Sequence, residues 1–356
     1  VTALVLTVIA CPVLADTPVT STTRLTLQVA PSAISLSGFN LQQQIQVTVQ
    51  SPDDLPTDAT RTATFQLDNN RIATISASGV IRGKTPGKTS LQVRLGTLQT
   101  QVPIVVGDPN QDTPPQFQRD ILPILSKLGC NSGGCHGKQS GQNGFKLSVF
   151  GFDARADFEA LTQEARGRRV FPADPTRSLL LRKATGSLPH GGGQRMLPDS
   201  VDQQIVLKWI EKGSPWGITK GPLLQGIVVQ PQEIIMQPLR AQQLLVTALY
   251  SDGSQRDVTS AAAYSSNQAT IADTDDSFQI KTGKQPGEAA ITINYMGKVT
   301  STRVIIPRPT RGEILTAMPV SNPIDTLVGK KLTALGLEPS PLANDAMFLR
   351  RLYLTT

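Results

Sequence analysis

Histidine, cysteine and aromatic residues are all scarce in this chain of 356 residues. It contains two histidines, three cysteines and 4% aromatic residues, and its formal net charge is only +7. After residues 1–15, no hydrophobic run is long enough to predict a helix that spans a membrane. Because the charge excess is mild and no recognition motif is present, nucleic acid is not an expected partner.

Threonine, valine, glutamine, glycine and proline are plentiful instead, with 29 glycines and 26 prolines. This composition is typical of small β domains that are joined by linkers. A chain of this length is too long for one hydrophobic core, so we expect roughly two to four domains.

Residues 1–15, VTALVLTVIACPVLA, form an apolar run that ends in a small-residue pattern. Such a run is typical of the hydrophobic part of a secretory signal peptide, so we expect export and cleavage after Ala15. The residues around Cys11 also fit a lipoprotein box loosely, which would anchor the chain by a lipidated cysteine. Pro12 directly after that cysteine favours cleavage at Ala15. Either route predicts a protein of the periplasm or the cell surface.

An internal repeat predicts two β domains of the same kind. The motif ATI occurs at 73–75 and at 269–271, and GKTPGKTSLQV at 83–93 has a counterpart, GKQPGEAAITI, at 283–293. The runs alternate between apolar and polar residues and are separated by turn signals, which favours β-sandwiches.

Both copies resemble the group 2 bacterial immunoglobulin-like domain. The second copy has the characteristic start, DVT, at 257–259, and the first has a finish of the same type, GVIRG, at 79–83. The resemblance covers residues 24–106 and 225–306. It implies all-β sandwiches that act as spacers or adhesive modules on exported proteins, with a surface polysaccharide or protein as partner.

The segment 130–137, CNSGGCHG, contains most of the scarce residues. Two cysteines followed at once by a histidine are the attachment signature of a c-type haem, with Cys130 and Cys135 as thioether positions and His136 as iron ligand. The usual spacer has two residues and this one has four, which its glycines can accommodate. Three alternatives stay open: a disulfide between the cysteines, a haem-free relic of a cytochrome, and a zinc site. The glycine-rich flanks and the distant second histidine disfavour zinc.

The pattern around this motif is helical. Apolar residues recur at helix spacing over 117–128, which predicts a helix that leads to Cys130. Pro123 is compatible with that helix only in its first turn. Ser200 begins a capping-box pattern, and the helix that follows is predicted to end at Gly213.

The second axial ligand of the expected haem has two candidates. Met196 precedes the closing helix, where small cytochromes place a thioether ligand. His190 lies in a glycine-rich loop and is the rival. Position favours Met196, although a methionine is most often a core residue.

This middle segment resembles the planctomycete-type cytochrome c-like modules over residues 116–217. The resemblance implies one covalently held haem c, an electron-transfer role and a redox partner protein. Its blocks occur in the family's order and lie at 129–137, 144–151, 173–181 and 189–193, and in the helix that contains Trp209 and Ile210.

Basic residues are concentrated in the same segment. They could form a docking face for an acidic redox partner or contact haem propionates, and an ordinary solvated face explains them equally well. They are Arg166, Arg168, Arg169, Arg177, Arg182, Lys183 and Arg195.

The C-terminal residues 323–356 predict two helices and resemble the opening of a large domain of unknown function, cut short here. The expected fold class is therefore multidomain, with two all-β immunoglobulin-like sandwiches that flank an all-α cytochrome c-like domain and precede a truncated helical segment. The linkers are expected at 107–115 and 307–322.

Two functions follow from these patterns. The first is an exported c-type haem protein that transfers electrons. The alternative is a cell-surface binding or structural protein with immunoglobulin-like units and a haem-free middle domain closed by a disulfide. No catalytic constellation is visible, so electron transfer is expected rather than catalysis.

Overall fold

The computed structural model describes residues 25–36, 41–52, 55–108, 114–217, 222–309 and 320–355. The predicted signal peptide lies outside these residues. Within them the chain forms two β units that flank a middle unit, followed by two helices. We call residues 25–108 the first β unit, 114–217 the middle unit and 222–309 the second β unit.

The first β unit consists of short strands in three small sheets. Its strands are β1 (Thr26–Ala30), β2 (Ile34–Leu36), β3 (Gln42–Gln44), β4 (Gln46–Gln50), β5 (Thr57–Asp58), β6 (Thr64–Leu67), β7 (Ala73–Ile75), β8 (Val80–Gly83), β9 (Gly87–Leu95) and β10 (Leu98–Val106). The sheet orders are β1-β4-β5, β2-β10-β9-β6 and β3-β8-β7. Strands β2 and β10 pair in parallel, and β9 and β10 form a long antiparallel hairpin.

The second β unit repeats this arrangement. Its strands are β11 (Leu224–Gln230), β12 (Glu233–Ile235), β13 (Ala241–Gln243), β14 (Leu245–Tyr250), β15 (Gln255–Asp257), β16 (Ala263–Ser266), β17 (Ala272–Thr274), β18 (Gln279–Thr282), β19 (Gly287–Tyr295) and β20 (Lys298–Ile306). The sheet orders are β11-β14-β15, β12-β20-β19-β16 and β13-β18-β17, the same as in the first unit. The parallel pair recurs as β12 with β20.

Alternating residues fill the core of each β unit. On β10, Val102, Ile104 and Val106 are buried, whereas the residues between them are exposed. Because successive side chains of a strand point to opposite faces, this pattern places one face of the hairpin in the core and the other in solvent. The same alternation buries Ile291 and Ile293 on β19.

The structural register of the repeat differs from the one that the ATI motifs suggest. Ala73 pairs with Gly83 at the start of β7, and its counterpart is Ala272, which pairs with Thr282 at the start of β17. The segment of the second β unit that corresponds to the first ATI motif, 73–75, is therefore 272–274. This segment begins three residues after the start of the second ATI motif, 269–271. Core-facing positions decide the register of a strand, and identical tripeptides do not.

The middle unit contains short helices that are joined by long irregular segments. A π-helical turn, Phe117–Ile121, leads into α1 (Leu122–Lys127), and α2 (Ala154–Thr162), α3 (Leu179–Ala184) and α4 (Val201–Glu211) follow. Pro123 lies in the first turn of α1, as a proline must. Half of the predicted capping box forms, since Ser200 Oγ accepts from the N–H of Gln203 at 3.3 Å.

Aromatic rings join the two ends of the middle unit. The ring of the fully buried Phe117 lies 5.8 Å from that of Trp209 and 5.3 Å from that of Phe158, measured between centroids. The indole N–H of Trp209 donates to the carbonyl of Pro215 at 3.0 Å. The first and last helices therefore share one core.

The expected fold class is wrong in its central element. Helices account for only 23% of the described residues, and the middle unit is not the all-α domain of cytochrome type that was expected. Its α-helices have only 6, 9, 6 and 11 residues. Glycine is the physical reason: Gly129, Gly141 and Gly144 have positive φ angles, and glycine disfavours a helix by about 1 kcal/mol per residue relative to alanine.

Two helices close the described chain. Asn322 caps α5 (Pro323–Leu335), which ends at Gly336 in the left-handed conformation. Every residue of α6 (Asp345–Thr355) is exposed. Among the described residues, no helix has both the length and the apolar character that crossing a membrane requires.

The two β units contact each other through the same groups in both directions. The N–H of Gln44 donates to Asp257 Oδ2 at 2.6 Å, and the N–H of Gln243 donates to Asp58 Oδ2 at 2.6 Å. The Oδ1 atom of each carboxylate accepts from the N–H and the hydroxyl of the threonine two residues later. We call these two sets of hydrogen bonds the reciprocal contact.

Candidate functional site

A cavity of about 360 Å³ opens in the middle unit. The loop after α1, helix α3 and the loop before α4 contribute to its walls. Its walls are mainly apolar, and they include the side chains of Leu125, Phe145, Leu147, Leu161, Leu179, Leu180 and Ala184.

The loop after α1 brings both cysteines to this cavity. The N–H of Cys130 donates to the carbonyl of Leu125 at 2.9 Å, and the N–H of His136 donates to the carbonyl of Cys130 at 3.0 Å. A Cβ atom on Gly137 would lie 2.2 Å from the carbonyl oxygen of Asn131. Glycine is therefore required directly after the histidine for the loop to close on itself.

A chain of contacts orients the His136 ring. Its Nδ1 atom lies 3.0 Å from the carbonyl oxygen of Phe145, whose ring centroid is 4.5 Å from that of the imidazole. The guanidinium carbon of the buried Arg169 lies 4.5 Å from the centroid of the Phe145 ring. Arg169 in turn donates to the carbonyls of Ala160 and Gly144. This arginine fixes Phe145, and Phe145 fixes the imidazole.

Burial controls the protonation of the site. It raises the pKa of the Cys130 thiol to about 11, with the neighbouring Cys135 as the second cause. Cys130 is therefore a protonated, weakly nucleophilic thiol at neutral pH. Burial also lowers the pKa of His136, against the opposing effect of the hydrogen bond to Phe145. The imidazole is consequently neutral at pH 7.

Positive charge surrounds the mouth of the cavity. Arg168, Lys183 and Arg195 line it and are exposed, while Arg169 lines it and is buried. None of the residues that line the cavity is an aspartate or a glutamate. An apolar cavity whose lining charges are all cationic has a positive potential that attracts anions.

Four of the five predicted site residues meet at the cavity. His190 lines it together with Cys130, Cys135 and His136, and the two imidazole rings are nearly parallel with centroids 6.2 Å apart. Met196 does not line it. Its side chain is 2% exposed and belongs to the hydrophobic core of the middle unit.

The sequence patterns did not reveal two arrangements. The leucines of α3, which belong to a block identified only by its resemblance, form a wall of the cavity. The reciprocal contact between the β units was also missed, although both copies contain Asp-x-Thr, at 58–60 and 257–259. That shared tripeptide is the signal that could have located the contact.

Comparisons with known proteins give no family for the chain. No family model matches it, and no curated protein matches it. Domains 5–6 of the S-layer protein SbsC resemble it with a TM-score of 0.32 and 12% identity over 80% of this chain and 100% of that one. A longer SbsC structure, domains 1–6, has a TM-score of 0.22 and 10% identity over 81% of this chain. The chain spans 28% of that longer structure.

An adhesin is also among the similar structures. InvE of Yersinia pseudotuberculosis has a TM-score of 0.18 and 12% identity over 80% of this chain and 59% of its own. Likenesses at such identities and TM-scores transfer no function to this chain.

The expected membership of the cytochrome c-like family and, with it, the haem c cofactor are wrong, since no family model matches the chain. The described residues contain no group of three or more His, Cys, Asp or Glu side chains that could hold a metal ion. The cysteine spacer has four residues instead of two, and Met196 is packed in the core. The iron-binding and electron-transfer interpretation is therefore wrong, and the acidic redox partner has no support.

The resemblance to group 2 immunoglobulin-like domains is likewise matched by no family model. What the structure describes is a pair of β units with one topology and a helical unit between them in sequence.

Proposed function

We propose that the chain is a structural and binding segment of an exported cell-surface protein. In it, two β-sandwich units form a stiff module and carry a haem-free middle unit that is closed by a disulfide between Cys130 and Cys135. A surface polysaccharide or another surface protein is the partner class. The reciprocal contact is the observation that carries this proposal, because β units that bind each other directly resist bending more than units joined by a linker alone.

The burial of the reciprocal contact supports a rigid role. Gln44 is 5% exposed and Gln243 is fully buried, so their backbone N–H groups depend on the carboxylates across the interface. Leaving such a buried donor unpaired costs about 1–3 kcal/mol. Separating the two units would therefore cost free energy, because it would leave these donors unpaired.

The middle unit adds a second connection. Its first helical segment contacts the second β unit through three polar interactions. These are Lys127 Nζ to the carbonyl of Ser260 at 3.1 Å, Arg256 Nη1 to Asp120 Oδ1 at 3.5 Å and the Tyr295 hydroxyl to the carbonyl of Arg119 at 3.3 Å.

The chemistry of the cysteines supports a structural pair. Both are free thiols in the described structure, and both line the same cavity. A protein disulfide donor of the exported compartment would accept two electrons and two protons from the thiols as the S–S bond forms. Closing so short a loop stabilises the fold by about 2 kcal/mol in the chain-entropy account. The apolar run at 1–15, which is expected to be a signal peptide, supports the compartment in which such a bond persists.

Location and redox state test the proposal separately. In the source organism, protease added to intact cells should degrade this chain and spare a cytoplasmic control protein. Alkylation of the denatured, unreduced chain, followed by mass spectrometry, should leave Cys130 and Cys135 unmodified, and alkylation after reduction should modify both.

A chain recovered only from the cytoplasmic fraction would contradict the surface role. Full alkylation of both cysteines in the exported protein would contradict the disulfide alone. A Cys135→Ser variant supplies the matched control, because its remaining partner must be alkylated without reduction.

A further inference from the structure

We propose that the cavity of the middle unit binds an amphipathic anion, a small molecule with an apolar body and a carboxylate or phosphate head. This site is separate from the surface role above and does not depend on it. The argument rests on the size of the cavity, the character of its walls and the charges at its mouth.

The cavity has the size of a small-molecule site. Its volume of about 360 Å³ lies within the range of roughly 300–1,000 Å³ that is typical of ligand pockets. At about 30 Å³ for each water-sized group, it accommodates roughly a dozen such groups. An unbranched hydrocarbon ligand with about as many carbon atoms as that number of groups has a volume that matches the cavity.

The walls favour an apolar occupant. Phe145, Leu179 and Leu180 line the cavity and are partly exposed, so they present apolar surface to its interior. These side chains offer no hydrogen bonds to water, so replacing water by a hydrocarbon chain is favourable. The polar groups of the site are confined to the cysteine loop and the mouth.

The mouth has unused donors for an anionic head. Lys183 Nζ donates to the carbonyl of Pro189 at 3.1 Å, and Arg195 Nε donates to the carbonyl of Gly192 at 2.7 Å. An ammonium group has three N–H donors and a guanidinium has five, so both side chains keep donors for a ligand. Among the described ion pairs, neither Lys183 nor Arg195 is paired with a carboxylate.

Direct titration of the full chain with dodecanoate tests this site. Isothermal calorimetry should show one binding site per chain, and binding should weaken as ionic strength rises, because the head contacts partly exposed cations. Dodecyl phosphate in a parallel titration distinguishes the two head groups. Methyl dodecanoate and dodecyltrimethylammonium, which lack the anion, should bind at least about tenfold more weakly.

Variants separate the head site from the apolar site. Lys183→Gln combined with Arg195→Gln should weaken dodecanoate binding by about tenfold or more. Lys146→Gln serves as the matched control, since this exposed lysine belongs to the same unit and does not line the cavity. Leu180→Trp should fill the cavity and abolish binding, while a thermal melt verifies that the variant is folded.

Three results would overturn the site. They are no binding of either anion to the folded chain, equal binding of the ester, and binding that the double variant leaves unchanged. If Leu180→Trp loses dodecanoate binding but remains accessible to protease on intact cells, the cavity site and the surface role are independent of each other.

Discussion

The first and second β units share a strand order and meet through the same groups, but only the second is joined to the middle unit by the polar contacts described above. The carboxylates of Asp58 and Asp257 occupy equivalent strand positions, opposite Thr48 and Thr247. Each binds its own threonine and one backbone N–H of the other unit. The shared fold and the mutual interface therefore depend on the same few residues in both copies.

The attachment to the middle unit depends on positions where the copies differ. In the second unit, Arg256, Ser260 and Tyr295 make those contacts. Their counterparts in the first unit are Thr57, Arg61 and Leu95, from the strand registers. Threonine and leucine cannot supply a guanidinium or a phenol at these points. Differences at a few positions thus give two copies of one fold different neighbours.

Breaking both halves of the reciprocal contact should have the largest effect. Asp58→Ala combined with Asp257→Ala removes the acceptors of two buried N–H groups, and each loss costs about 1–3 kcal/mol. The double variant should lose more free energy of unfolding than the two single variants together, since either half alone keeps the interface closed. Urea denaturation of the full chain measures all three.

The matched control for that series is Asp252→Ala in the second unit. Asp252 is an exposed turn residue whose side chain contacts only Ser254 among the hydrogen bonds described. Its replacement should leave the free energy of unfolding nearly unchanged. A double variant no less stable than this control would show that the reciprocal contact contributes nothing.

Giving the second unit the first unit's residue at position 256 should have a moderate effect. Arg256→Thr removes one partner of Asp120, which is 3% exposed at its side chain but keeps its hydrogen bonds to Arg119 and to the N–H of Gln116. Because those partners remain, we expect a loss of about 1 kcal/mol. Hydrogen exchange should accelerate in α1 if the middle unit loosens.

Thr57→Arg makes the reverse exchange in the first unit and should leave hydrogen exchange in α1 unchanged. Equal acceleration in both variants would mean that the two β units are attached to the middle unit alike.

The smallest expected effect is a pH dependence at Asp257. Burial is the main cause that raises the pKa of this carboxyl above its ordinary value of 3.8, against its hydrogen bonds to Thr259 and Gln44. The folded state therefore holds the proton more tightly than the unfolded state does. The contribution of Asp257 to stability is largest below pH 3.8 and falls as pH rises through its raised pKa.

Urea unfolding of the native chain and of Asp257→Asn over the mildly acidic range should reveal this component. The native chain should lose stability with rising pH relative to the variant. A difference that grows in the opposite direction would place the pKa of Asp257 below its ordinary value.

Local patterns in the sequence predicted the parts of the molecule that depend on neighbouring residues. Alternation within 83–93 and 283–293 indicated strands, which β9 and β19 form, and Pro123 and Ser200 stand at the helix starts where their chemistry predicts them. The clustering of cysteine and histidine at 130–137 indicated where a site lies. The chemistry predicted for that site was wrong because a short motif does not define what surrounds it.

The sequence by itself determined the strand alternation, the glycine that closes the cysteine loop and the Asp-x-Thr tripeptides, because each depends on bonds and steric contacts within a few residues. Only the tertiary structure decided that Met196 packs in the core, that Lys183 and Arg195 line the same cavity as Cys130, and that Asp58 binds the other β unit. These contacts join residues far apart in the chain. They form only when burial of apolar surface brings whole units together, which no local pattern specifies.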